Sequence, residues 1–159
     1  MTMKHLLAMA FGTAVLAGSA QADSLVRVTL IDKTGAADSS GLRLGMGMHA
    51  DMSKAKMAVN DNPKTAKRGA VTLNVTNLAS GIVHEVIVAQ INSGEEILPY
   101  DESRNKVDAE QLLTLGSINE IKPNSSASIT LNLDPGKYLL YCNIAGHYMA
   151  GMWTVISVE

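Results

Sequence analysis

One stretch constrains this chain more than any other: Cys142-Asn143-Ile144-Ala145-Gly146-His147-Tyr148-Met149-Ala150-Gly151-Met152. It sets a thiol, an imidazole and a thioether at equal five-residue steps, immediately after a run that reads as a β-strand. Such a loop gathers its side chains on one point only if the strands flanking it come back side by side. A further imidazole, His84, lies in an earlier strand-like run. A fold that uses all four must therefore bring a loop and a distant strand together at one end of a sheet structure.

The start of the chain reads as a targeting segment. Lys4 and His5 precede an uncharged apolar run over 6–18, and Ala20-Gln21-Ala22 has the form of a cleavage site, so a signal peptide is expected over 1–22 and one domain over 23–159. The apolar run is short for a membrane span and is followed by polar residues. Export from the cytoplasm is expected, with no other stretch long enough to insert in a membrane. The leader carries Lys4 and no acid, so its loss takes the formal charge from −2 to −3. That mild acidity argues against nucleic acid and anionic membrane surfaces as partners. The only Phe, Phe11, leaves with the leader, so the core must be built from aliphatic side chains, four Tyr and Trp153.

Cys142 is the only cysteine, and an exported chain with one thiol has no internal disulfide. A free reactive thiol is a liability in an oxidising compartment, and metal ligation removes it by fixing the thiolate.

Most segments read as strands. The run 25–31 is β-branched and ends at turn formers over 32–35; 70–77 alternates apolar with polar residues, as in a sheet with one wet face. After Ala79-Ser80-Gly81, a strand is expected over 82–91, carrying His84. The run 126–133 alternates cleanly, Asp134-Pro135-Gly136 reads as the turn of a hairpin into a strand over 137–141, and 153–158 closes the chain. Residues 105–113 read as a short helix or structured loop, and 33–41 as the most flexible loop. Short strands with frequent turns predict an all-β sandwich.

Two imidazole nitrogens and a thiolate at short range, with a distant thioether, suit one copper ion cycling between Cu(I) and Cu(II). The expected ligands are His84, Cys142, His147 and, on the long bond, Met152. Gly146 and Gly151 each precede a ligand where the backbone must turn. Met149 competes for the axial position by composition, but stands only two residues from His147 and is read as packing or rim. Zinc also accepts Cys and His, yet gives the Met no purpose. His147 is the expected electron port, within an apolar rim of Ile144, Ala145, Met149 and Ala150. A second unusual run, Gly45-Met46-Gly47-Met48-His49-Ala50-Asp51-Met52, admits three readings: gap-filling beneath the loop, a loose Cu(I) site, or an extension of the rim. Met48 and Met52 are spaced for one face of a helical turn.

On these residues the chain resembles the cupredoxins, the plastocyanin/azurin superfamily. The matching pieces are Tyr141-Cys142, Gly146-His147 and Gly151-Met152-Trp153, with the strand from Lys67 to Asn77, the run Val83-His84-Glu85-Val86-Ile87-Val88, and Pro135-Gly136-Lys137-Tyr138 leading into the cysteine. The loop spacing is similar to that of rusticyanin and sulfocyanin. The resemblance covers the chain from about Met57 onward and implies a Greek-key β-sandwich, type 1 copper and a periplasmic electron carrier. It implies a redox partner such as a cytochrome or oxidase, a monomer, and no substrate turnover. A copper-handling protein, for resistance or delivery, is the alternative. Val83 stands where azurins carry Gly, which favours four ligands over five. Glu85 stands where several members carry an Asn that donates to the thiolate loop; an ionised carboxylate cannot donate, which makes Asn143 the expected substitute.

Overall fold

The computed structural model describes residues 24–33 and 41–159. The expected leader over 1–22 and most of the loop expected over 33–41 lie outside the described residues. In chain order the strands are β1 (Ser24–Asp32), β2 (Met57–Asn62), β3 (Thr65–Ala66), β4 (Gly69–Asn77), β5 (His84–Ile91), β6 (Tyr100–Asp101), β7 (Lys106–Val107), β8 (Leu113–Ile121), β9 (Ser126–Leu133), β10 (Gly136–Tyr141) and β11 (Trp153–Val158). They form a four-stranded sheet, β2-β1-β4-β9, packed on a five-stranded sheet, β3-β11-β10-β5-β8, with β6 and β7 as a separate small pair. The all-β sandwich expected from the sequence is the architecture found.

Alternation explains which residues meet between the sheets. Val26, Val28 and Leu30 of β1 and Val71, Leu73 and Val75 of β4 are almost fully buried. They face Val86 and Val88 of β5, Tyr138 and Leu140 of β10, and Ile156 of β11 in one cluster. Each such aliphatic side chain stabilises the fold by about 1.5–3 kcal/mol when fully withdrawn from water. The other face of the five-stranded sheet is buried too. Ala89, Ile91, Leu139 and Tyr141 pack there with Met46, Leu98, Tyr148 and Met149. The long connections around 46 and 92–112 thus form a lid on the sheet, which is why 138–141 is an unbroken apolar run rather than an alternating one.

Several local expectations are corrected. Asp134-Pro135-Gly136 does not close a hairpin: Leu133 pairs with Gly69 in one sheet, and Gly136 with Val158 in the other. The turn carries the chain across the sandwich, and the Tyr138 hydroxyl donates to the Asp134 carbonyl at 2.7 Å to hold the crossing. Residues 105–113, expected as a short helix or a structured loop, are as expected a structured loop, with β7, a 3-10 turn over Ala109–Gln111 and the start of β8. The strand carrying His84 begins at His84 itself rather than at 82. Met48 and Met52 do not share a helix, because Asp51 is extended and only a 3-10 turn, Met52–Lys54, follows.

Candidate metal centre

The site is built by the ends of β5 and β10 and the loop over 142–152. Cys142 directly follows β10, and its N–H donates to the Met152 carbonyl at 3.1 Å, so the loop closes on itself like a clasp. The Met152 N–H donates to the His147 carbonyl at 3.1 Å, and the His147 N–H to the Ile144 carbonyl at 2.9 Å. These bonds fold the loop inward and set its three donor residues around one point. The turns need glycine. Gly151 has φ +98°, and a Cβ there would stand 2.8 Å from the Ala55 methyl group. Gly146 has φ +82°. His84 is delivered by β5, whose residues Ile87 to Ile91 pair with Tyr141 to Lys137 of β10.

The result is a tight cluster. Cys142 Sγ lies 3.4 Å from His147 Nδ1 and 3.9 Å from His84 Nδ1, and the two Nδ1 atoms are 3.3 Å apart. Among the described residues this is the group of His, Cys and carboxylate side chains able to hold a metal ion together, with all donor atoms within 4.8 Å. Donors bound to a common ion at about 2.0–2.3 Å stand roughly 3–4 Å from one another, so the separations fit one shared ion. His84, Cys142 and Met152 are wholly buried and His147 is 3 % exposed. Met152 sits with Cys142 in the core between the sheets, whereas Met149 packs in the cluster on the outer face. That division supports Met152 over Met149 as the thioether beside the donors.

Electrostatics prepare the cluster for a cation. Burial, and after it the neighbouring His147, lowers the His84 pKa to about 4. Burial lowers that of His147 as well. Both imidazoles are therefore uncharged at neutral pH, with a lone pair free for ligation. Burial pushes the Cys142 thiol up to about 12, although backbone N–H groups of Glu85 and Ile144 favour its ionised form. Without a metal the thiol keeps its proton; a bound cation supplies the charge that releases it.

The second layer departs from expectation. Asn143 does not serve the thiolate, because its side chain is committed elsewhere: Oδ1 accepts from the Val107 N–H at 2.8 Å, and Nδ2 donates to the Val107 carbonyl at 3.0 Å. Asn143 thereby ties the loop over 142–152 to β7. Glu85 Oε1 accepts the Asn143 N–H at 3.1 Å, so this carboxylate braces the loop through its backbone. The expected exposed port is also corrected. His147 is buried, as are Met149 and Ala150, leaving Ile144 half-buried and Ala145 exposed. Met46 is fully buried, so it cannot extend a rim. Its N–H donates to the Tyr148 hydroxyl at 2.8 Å. The sequence reading missed Tyr148 as a support of the loop; its place next to His147 was the available signal.

A sequence model of the sulfocyanin (SoxE) domain matches residues 117–159, a stretch that holds Cys142, His147 and Met152 but stops short of His84. No curated protein matches the chain. Among solved structures, rusticyanin from Thiobacillus ferrooxidans superposes with a TM-score of 0.52 at 18% identity, covering 86% of this chain and 77% of that one. A reduced rusticyanin structure gives 0.51 at 17%, covering 86% and 79%. Auracyanin from the photosynthetic bacterium Roseiflexus castenholzii gives 0.48 at 20%, covering 62% and 86%. The chain therefore has the cupredoxin-like fold of rusticyanin, and its buried nitrogen and sulfur donors fit a single copper ion.

Proposed function

We propose that His84, Cys142, His147 and Met152 hold one copper ion and that the protein carries single electrons between redox partners in the periplasm, with no substrate turnover of its own. The observation that carries this reading is the assembly of three donor atoms, from His84, Cys142 and His147, within 4.8 Å of one another. Copper bound there would accept and release one electron. The protein's part is to keep the donors still: His84 is anchored in β5, the loop is closed by its own backbone bonds, and the sandwich core surrounds Cys142 and Met152. A site that hardly rearranges between oxidation states exchanges electrons quickly. Burial keeps water from the thiolate. No helix among the described residues is long and apolar enough to cross a membrane.

Ile144, Ala145 and the exposed Val83, next to His84, supply apolar surface for a partner. The partner class is a small cytochrome or an oxidase domain. A copper-handling role is the second reading, favoured by the exposed Met52 and His49 outside the centre. Mixing the oxidised copper protein with a reduced c-type cytochrome separates the two. An electron carrier loses its blue colour as the cytochrome oxidises, and regains it with a mild oxidant. A protein that exchanges no electrons but yields its copper to a chelator overturns the carrier reading.

A further inference from the structure

The run 45–52 divides in two in the structure. Met46 is fully buried in the outer cluster, and Met48 packs against it. The Sδ atoms of Met48 and Met149 both come to 3.3 Å from the place a Cβ on Gly45 would take, so these thioethers fill space beneath the backbone. Met52 behaves differently: it is 41% exposed, the one exposed methionine among the described residues. It lines a cavity of about 170 Å³ together with His49, Trp153 and Glu95.

We propose that this cavity is a second, outer copper site, selective for Cu(I), whose donors are the His49 imidazole, the Met52 thioether and the face of the Trp153 indole. Thioether and imidazole are donors that suit Cu(I), and an indole face attracts a cation held against it. Glu95 completes the wall as a further lining residue. The three groups are positioned by separate local devices. Trp153 donates its Nε1–H to the Leu44 carbonyl at 2.7 Å, which fixes the plane of the ring. His49 is held at φ +51°, a conformation uncommon outside glycine. Met52 opens a 3-10 turn whose preceding residue, Asp51, caps it by accepting the Ser53 N–H at 3.1 Å.

The cavity also adjoins the buried centre. The Met52 methyl lies 3.4 Å from where a Cβ on Gly151 would stand, and Gly151 is followed by Met152 and then Trp153. An ion in the outer site would sit against the loop that carries Cys142, His147 and Met152. Binding there involves no change of oxidation state and makes no use of the four buried ligands. The site therefore fits a Cu(I) acceptor on the outside of the copper loop, and it deepens the function proposed above only in sharing its metal.

Trp153 is the only tryptophan in the chain, so its emission reports on the cavity. The test adds a further equivalent of Cu(I) to copper-loaded, reduced protein without oxygen, followed by desalting and metal analysis. The expected result is quenched Trp153 emission and two coppers per chain. His49→Ala and Met52→Leu should each lose the quenching and the second copper, while the blue absorbance of the reoxidised first centre stays at the wild-type value. Zn(II) in place of Cu(I) should leave the emission unchanged. One copper per chain with unaltered emission, quenching that survives both substitutions, or equal quenching by Zn(II) overturns the outer site. A protein that stays colourless after oxidation but still quenches with Cu(I) would overturn the type 1 centre and leave the outer site standing.

Discussion

Replacing Asn143 by Ala tests how the copper loop is held. The amide pairs with both backbone groups of Val107, at 2.8 and 3.0 Å, and Asn143 and Val107 are 9% and 3% exposed. Truncation leaves one donor and one acceptor of Val107 without that partner in a buried setting. Each orphaned group costs about 1–3 kcal/mol, and water entering the space vacated by the amide recovers part of it. The expected loss is about 2–4 kcal/mol, a large share of the 5–15 kcal/mol typical of a domain. For a chain of this size that lowers the melting temperature by about 10 °C. The assay is thermal unfolding of the metal-free protein, followed by circular dichroism, with the visible spectrum of the copper-loaded variant beside it. Because the amide does not reach Sγ, the thiolate-to-copper band should keep its position. A melting shift under about 2 °C, or a displaced band in a variant of unchanged stability, would show that the amide acts on the thiolate instead of on β7.

Three further outcomes are expected. Gly151→Ala forces a side chain into a φ of +98° and sets its Cβ 2.8 Å from the Ala55 methyl; backbone strain and overpacking together should cost about 2–4 kcal/mol in denaturant unfolding, and a midpoint equal to wild type would refute the packing described. In the metal-free protein, His84 is lowered from 6.5 to about 4, so the unfolded chain takes up the proton first and stability falls as pH drops below about 6.5. Cys142 is raised from 9.0 to about 12, so the unfolded chain loses the proton first and stability falls as pH rises above about 9; melting temperatures should plateau between these limits, and a steady slope through the plateau would count against both burials. Glu85→Gln removes a negative charge that disfavours the Cys142 thiolate and would favour the more positive, oxidised metal, so the reduction potential should rise in voltammetry; a fall would contradict the placement of that charge.

The sequence carried the site more clearly than the path of the chain. Cys142, His147 and Met152 were legible because their chemistry is rare and their spacing regular, and Gly146 and Gly151 because a tight loop needs positive φ at such points. The strands with clean alternation, such as β4, were legible for the same reason that they fold: one face meets the core. The edge strand β8 escaped notice because its early residues, Leu113 and Leu115, are exposed, so its pattern lacks the usual link between apolar character and burial. β2 and β3 were passed over as well. Asp134-Pro135-Gly136 announced a turn, but turn chemistry does not say whether the strands on either side belong to the same sheet. The burial of Tyr148 and Met149 beside His147 depends on the lid formed by remote connections, which no local pattern encodes. Asn143 was misassigned because a buried amide next to a thiolate has several possible partners, and Val107 reaches it only through the tertiary fold.

The central claim is that one copper ion is shared by His84, Cys142, His147 and Met152. Crystals of the copper-loaded protein, measured at the copper absorption edge, test it directly. The account predicts an anomalous peak within bonding distance of Cys142 Sγ and of the Nδ1 atoms of His84 and His147, with the Met152 sulfur on a longer contact. A centre without a peak, or a peak that excludes Cys142, would contradict it.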